Sequence, residues 1–276
     1  MKNIIIANWK MNNSFDEAES WLESFNEKIS NEENLPDIVV CPPAILIDYM
    51  DELLLNSELE ALENKGNNID ELEEKEIEKL AAKIRKVQIG GQDCHAQING
   101  AFTGDISAKT LKDAGCNYVI LGHSERRQYH FESDETVNAK VKTALENNLM
   151  PILCIGESLE IREENKYLDF IKKQIDGSIP QNIEIENLII AYEPIWSIGT
   201  GKIPSIAQID EMANFIKDEV EKNKNIKVKN SKILYGGSTN SKNAKEIMAV
   251  KNISGMLVGG ASLKADEFSQ MAKLSF

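Results

Sequence analysis

Leu188-Ile189-Ile190-Ala191-Tyr192-Glu193-Pro194 is an apolar run that stops abruptly on a carboxylate and a proline. Its apolar residues do not alternate with polar ones, the pattern of a parallel strand covered on both faces. Seven other runs share this character: 3–7, 37–41, 87–92, 118–121, 151–155, 232–235 and 255–258. Between them lie amphipathic helical patterns, among them 15–29, 134–146 and 206–222, the last with Ser205 as N-cap. Strand-then-helix units repeated in this way are compatible with a doubly wound open sheet or a closed barrel. Eight of them favour the α/β class with a closed parallel (β/α)8 barrel.

In such a barrel the chemistry lies at the C-terminal ends of the strands. Here those ends read Asn8-Trp9-Lys10, Cys41-Pro42-Pro43, Gln92-Asp93, Gly122-His123-Ser124-Glu125, Gly156-Glu157, Glu193-Pro194, Gly236-Gly237-Ser238 and Gly259-Gly260-Ala261. Polar residues and glycines gather at these positions.

The whole chain is consistent with one such domain spanning 1–276. It has 276 residues, 42% hydrophobic and 28% charged, with a formal net charge of −14. That charge argues against duplex DNA as a partner, because DNA binding is driven by Lys and Arg neutralising phosphates. It does not exclude a small anion, which requires a local positive site. No apolar run approaches the ~20 residues of a membrane span, and the first residues are too short an apolar stretch for a secretion signal. The cysteines, Cys41, Cys94, Cys116 and Cys154, show no CxxC spacing and no zinc pattern. Buried free thiols in a reducing cytoplasm are expected.

One unit is oversized. Between Pro43 and Gln92 the chain holds two helical patterns where one is needed. The first runs over 44–63 and stops near Gly66, a residue suited to follow a helix. The second starts at Asn68, with Glu71 in capping register and Ile69, Leu72, Ile77, Leu80, Ile84 and Val87 as an apolar stripe. A charged helical hairpin inserted between strands 2 and 3, at about 56–83, is the expectation. Decoration is favoured over a docking surface.

Four features point to chemistry. The paired glycines Gly236-Gly237 and Gly259-Gly260, after the seventh and eighth strands, expose backbone N–H groups where barrels commonly hold phosphate. Glu193 precedes 194–202, a segment with proline at one end, glycines at the other and an apolar middle, which has the makings of a lid. A carboxylate under a lid is desolvated and tuned towards base catalysis. The Gly199-Thr200-Gly201-Lys202 stretch lacks the spacing of a nucleotide P-loop. His123 precedes a helix-start-like stretch, which disfavours imidazolium and suits a neutral hydrogen-bond donor. His95 and His130 are given structural roles. Lys10 is the candidate local positive charge.

Taken together, several segments closely resemble the triosephosphate isomerase family. They are Asn8-Trp9-Lys10-Met11-Asn12, Asn99-Gly100-Ala101-Phe102-Thr103-Gly104, Gly122-His123-Ser124-Glu125-Arg126-Arg127, Ala191-Tyr192-Glu193-Pro194-Ile195-Trp196, Ile198-Gly199-Thr200-Gly201, Tyr235-Gly236-Gly237-Ser238 and Val258-Gly259-Gly260-Ala261-Ser262-Leu263. The resemblance implies a TIM barrel that interconverts dihydroxyacetone phosphate and D-glyceraldehyde 3-phosphate through an enediolate, without cofactor or metal. It implies Glu193 as base, His123 as carbonyl electrophile and Lys10 as charge partner. Asn8, Gly199, Ser238, Gly259 and Gly260 would bind substrate, with Glu125 and Ser124 behind the catalytic groups. It implies a homodimer, with loop 93–105 entering the partner and Thr103 near the partner's active site. Ser197 departs from the family's more usual alanine, and the hairpin is absent from most members. An aldolase would need a lysine where Glu193 stands. A metal-dependent epimerase would need clustered His and carboxylate ligands. The other alternative is a catalytically inactive barrel that binds phosphate ligands or proteins. It would be expected to have lost Glu193, His123 or Lys10, and all three are present.

Overall fold

In a computed structural model, which describes residues 3–64, 84–198 and 203–274, every expected apolar run forms a strand. The strands are β1 (Ile4–Asn8), β2 (Asp37–Cys41), β3 (Val87–Gly91), β4 (Tyr118–Leu121), β5 (Met150–Ile155), β6 (Glu184–Tyr192), β7 (Lys227–Tyr235) and β8 (Ile253–Val258). Each pairs in parallel with the next, and β1 pairs with β8 through Ile4↔Gly255 to Ala7↔Val258, so the sheet closes into a barrel.

Closure explains why the runs are apolar throughout. Successive side chains alternate between the two faces of a strand. One set, including Ile4, Ile6, Val39, Ile120, Ile152, Ala191 and Leu257, fills the barrel interior. The other, including Ile5, Ala7, Val40, Leu121, Leu153 and Ile190, packs beneath the surrounding helices. Along these runs both faces are covered, so apolar residues dominate both.

The described helices are α1 (Phe15–Ile29), α2 (Ile47–Glu63), α3 (Ala108–Asp113), α4 (Ser124–Tyr129), α5 (Asp134–Glu146), α6 (Leu159–Glu163), α7 (Tyr167–Ser178), α8 (Ile206–Lys222), α9 (Ala244–Met248) and α10 (Ala265–Ala272). Ser14 with Glu17, and Ser205 with Gln208, form complete capping boxes that fix the starts of α1 and α8.

Two strands start four or more residues before the expectation. β6 begins at Glu184 and β7 at Lys227, before the apolar runs. The added residues pair with one another from Glu184↔Lys227 to Asn187↔Asn230, and Lys229 bridges to Glu186 at 2.7 Å. They project past the floor of the barrel, where Glu184, Glu186, Lys227 and Lys229 are exposed. With one face open to water, their sequence is polar and the apolar signal stops short.

A helix stands where the first arm of the hairpin is expected. A 3-10 turn, Ala44–Leu46, leads directly into α2, which runs unbroken to Glu63 with Glu58 and Leu62 buried. The second arm, 68–83, lies outside the described residues. Just before β3, Arg85 bonds to Asp51 at 2.7 Å and to Glu58 at 3.0 Å, both on α2. Lys86 donates to Ile29 O at 3.0 Å and Ser30 O at 2.8 Å, at the end of α1. This junction lies at the floor of the barrel, away from the C-terminal strand ends.

Candidate active site

The C-terminal strand ends enclose a cavity of about 300 Å³. Asn8, Lys10, His123, Glu193, Ser238, Gly259 and Gly260 all line it, although they are spread over most of the chain. Gly199 lies outside the described residues. Thr103 is not in the cavity. It sits in the run 97–105, every residue of which is exposed.

Glu193 follows β6 directly and is 1% exposed. Its N–H donates to Ile155 O at 2.7 Å, which ties it to the end of β5. Gly156 is required for this approach, since a Cβ there would stand 1.7 Å from Glu193 O. The two carboxylate oxygens have different surroundings. Oε2 accepts the Ser124 N–H at 2.9 Å. Oε1 is buried and makes no hydrogen bond among the described residues. His123 Nε2 lies 3.1 Å from it, off the line a hydrogen bond needs. Cys154, beneath the carboxylate, is pushed well above the ordinary thiol range by burial first and by the charge of Glu193 second.

His123 is the N-cap of α4, where its Nδ1 accepts the Glu125 N–H at 3.2 Å. An accepting nitrogen carries no proton, so this contact assigns the proton of a neutral ring to Nε2, facing the cavity.

Lys10 occupies left-handed backbone space, with φ of 53°, a strained conformation for a residue other than glycine. Three contacts hold it there. Its N–H donates to Asn8 Oδ1 at 3.1 Å, Gln92 Nε2 donates to its carbonyl at 2.8 Å, and its Nζ meets Glu125 Oε1 at 2.5 Å. Its stem passes beside Gly259, so close that a Cβ on that glycine would lie 3.4 Å from Lys10 Cε. The cation and the glycine-rich turn therefore share one corner. A Cβ on Gly260 would meet nothing within 4 Å.

Two positioning residues escaped the sequence reading. Gln92 bonds both Lys10 O and Cys41 O, joining the ends of β1 and β2. Glu157 is fully buried and accepts from Tyr192 Oη at 2.9 Å and Trp196 Nε1 at 3.0 Å. Burial pushes its carboxyl above the usual range, partly offset by these donors. It anchors the segment after Glu193, whose Ile195 N–H also bonds Glu157 O at 3.1 Å. Both residues were visible at strand ends, but nothing in their spacing names their partners. Among the described residues, no group of three or more His, Cys, Asp or Glu could hold a metal ion.

Together the cavity offers a buried carboxylate with one oxygen unengaged, a facing imidazole N–H, a fixed ammonium and a glycine-rich anion corner. This suits proton transfer on a small phosphorylated carbonyl compound.

A family model described as triosephosphate isomerase matches residues 3–72 and 73–275 of the chain. The triosephosphate isomerase of Alkaliphilus oremlandii (strain OhILAs) is 42% identical over 271 residues, covering 97% of both chains. That of Malacoplasma penetrans (strain HF-2) is 37% identical over 277 residues, covering 99% of both. The crystal structure of triosephosphate isomerase from Bartonella henselae superposes with a TM-score of 0.77 at 34% identity, covering 98% of each chain.

Proposed function

Because the chain belongs to the triosephosphate isomerase family, we propose that its strand-end cavity interconverts dihydroxyacetone phosphate and D-glyceraldehyde 3-phosphate, the isomerase step shared by glycolysis and gluconeogenesis. The observation that carries this reading is the convergence of Glu193, His123 and Lys10 on one cavity. An inactive scaffold would have no use for that convergence.

Glu193 Oε1 takes a proton from the carbon beside the carbonyl and returns it to the neighbouring carbon. Ser124 N–H holds the other oxygen, so the carboxylate keeps its aim through both transfers. Neutral His123 donates Nε2–H to the carbonyl oxygen as negative charge develops there. It then moves protons between the two enediol oxygens. Lys10, steadied by Glu125 and beside Asn8, offsets the charge of phosphate and enediolate. Backbone N–H groups at Gly199, Ser238, Gly259 and Gly260 hold the phosphate. Excluding water matters because an exposed enediolate would expel phosphate instead of isomerising.

The 1–276 chain is one barrel domain with a helical hairpin at about 56–83. It pairs as a homodimer, with loop 93–105 against a second copy and Thr103 near that copy's site. In support, Ile98 and Phe102 in this loop are exposed, and Met11 is 95% exposed. All four thiols are free and buried, and no described helix is long and apolar enough to cross a membrane. A reducing cytoplasm fits these thiols.

The deciding experiment is a coupled assay of triose phosphate interconversion by the purified protein in both directions. Turnover well above the uncatalysed rate is expected. Activity at background would overturn the reading.

A further inference from the structure

Ser197 has a hydroxyl that the chemistry above does not use. It closes the 3-10 turn Ile195–Ser197 and is completely buried. Its Oγ accepts the Ser238 N–H at 3.3 Å and lies 3.5 Å from Tyr235 Oη. In the other direction, Ser238 Oγ donates to Ser197 O at 2.6 Å. The space around this hydroxyl is closed. A Cβ on Gly237 would stand 2.3 Å from Tyr235 Oη and 2.6 Å from Ser197 Oγ. The glycine lets the end of β7 come this close.

A backbone N–H has one hydrogen and serves one well-aligned acceptor. In this chain the Ser238 N–H already has an acceptor, and that acceptor is a side chain that points back from the phosphate corner. An incoming phosphate oxygen must take the N–H from Ser197 before it can use it. Only the difference between the two hydrogen bonds then reaches the ligand.

We propose that Ser197 is a positioning residue that withholds the Ser238 N–H from the phosphate and so sets how tightly the phosphate end of the substrate is held. This rests on the reading of Ser238 as a phosphate-binding residue. The hydroxyl acts on the phosphate end alone. The reacting carbons are handled by Glu193 and His123, whereas the Ser197 hydroxyl meets Ser238 and Tyr235.

The test is Ser197→Ala, assayed with two substrates and one inhibitor. Inorganic phosphate is expected to inhibit the variant about three- to fivefold more tightly, the scale of one weak neutral hydrogen bond. KM for glyceraldehyde 3-phosphate should fall by a similar factor. Unphosphorylated glyceraldehyde, which has no group to compete for the N–H, should be turned over with the same kcat/KM as by the parent chain. A purely structural role would move both substrates together. Ser197→Cys, with a poorer acceptor in place of oxygen, should fall between parent and alanine variant. An unchanged phosphate Ki in Ser197→Ala would overturn the assignment, and so would weaker phosphate binding, since Ser197 would then present the donor rather than withhold it. If the parent chain itself shows no phosphate inhibition, the phosphate reading of the site fails, an outcome distinct from failure of Ser197 alone.

Discussion

Glu193 divides its work between its two oxygens, and that division can be tested. Ser124 N–H fixes Oε2, and Oε1 is left facing His123 Nε2 across 3.1 Å. Glu193→Asp keeps the charge but withdraws the carboxylate by about one methylene. A displacement of ~1 Å at a reacting group can cost about 10²-fold, so kcat should fall at least that far with a smaller change in KM. Steady-state kinetics with glyceraldehyde 3-phosphate reads this, and an unchanged kcat would remove Glu193 from the base role. Lys10→Met should act differently. It removes the cation that meets the anion in both ground and transition states, so KM should rise steeply along with a drop in kcat. A variant with normal KM would place the anion elsewhere. These residues were legible because each stands where an apolar run breaks off, and a charge at such a break has few structural reasons to be there. Gln92 and Glu157 stand at the same kind of break. Their partners are 82 and 39 residues away in sequence, so only the folded chain reveals what they hold.

At the scale of elements, the strands were legible wherever both faces are covered. β2 and β4 match their apolar runs end to end, and α1, α5 and α8 match their periodic patterns. The floor ends of β6 and β7 were not, because solvent on one face removes the signal. The α2 junction makes its own prediction. Arg85 is shared by Asp51 and Glu58, and burial outweighs it at Glu58, whose carboxyl is pushed up to about 7 from 4.5. The folded chain then holds a proton on Glu58 that the unfolded chain has released. Stability from this group is fully present below about pH 4.5 and is lost as pH rises through 7. The parent chain should lose on the order of 1–3 kcal/mol more between those limits than Glu58→Gln. Parallel pH dependence of the two, measured by urea unfolding, would contradict it. The same junction decides how much of the insertion can be removed. Deleting 56–83 removes buried Glu58 and Leu62 and should destabilise the barrel. Deleting 65–83 with a short closure should leave kcat and KM near normal, because the joined ends lie at the floor. A large rise in KM with the fold intact would contradict that placement.

For the whole molecule, the expectation is association. A chain of 30.9 kDa should sediment at twice that mass. Phe102→Asp, which places a charge in the exposed run 97–105, should shift it to the monomer and lower kcat. A monomeric parent chain would contradict the proposed pairing.

The seam between β1 and β8 governs how this chain is made. Ile4 pairs with Gly255, so the strands that complete the barrel are separated by 251 positions of sequence, the difference 255 − 4. At about 5–20 residues per second, roughly 13–50 s pass between synthesis of the two. Throughout that interval the growing sheet has two unpaired edges, each a template for a neighbouring nascent chain. Loop closure over such a distance comes late, and parallel pairing is slow. Around the barrel wall the finished sheet closes on itself, but the unfinished one has open edges. Its most vulnerable moment falls on the ribosome, before residue 253 has emerged, when chaperones would have the most to do.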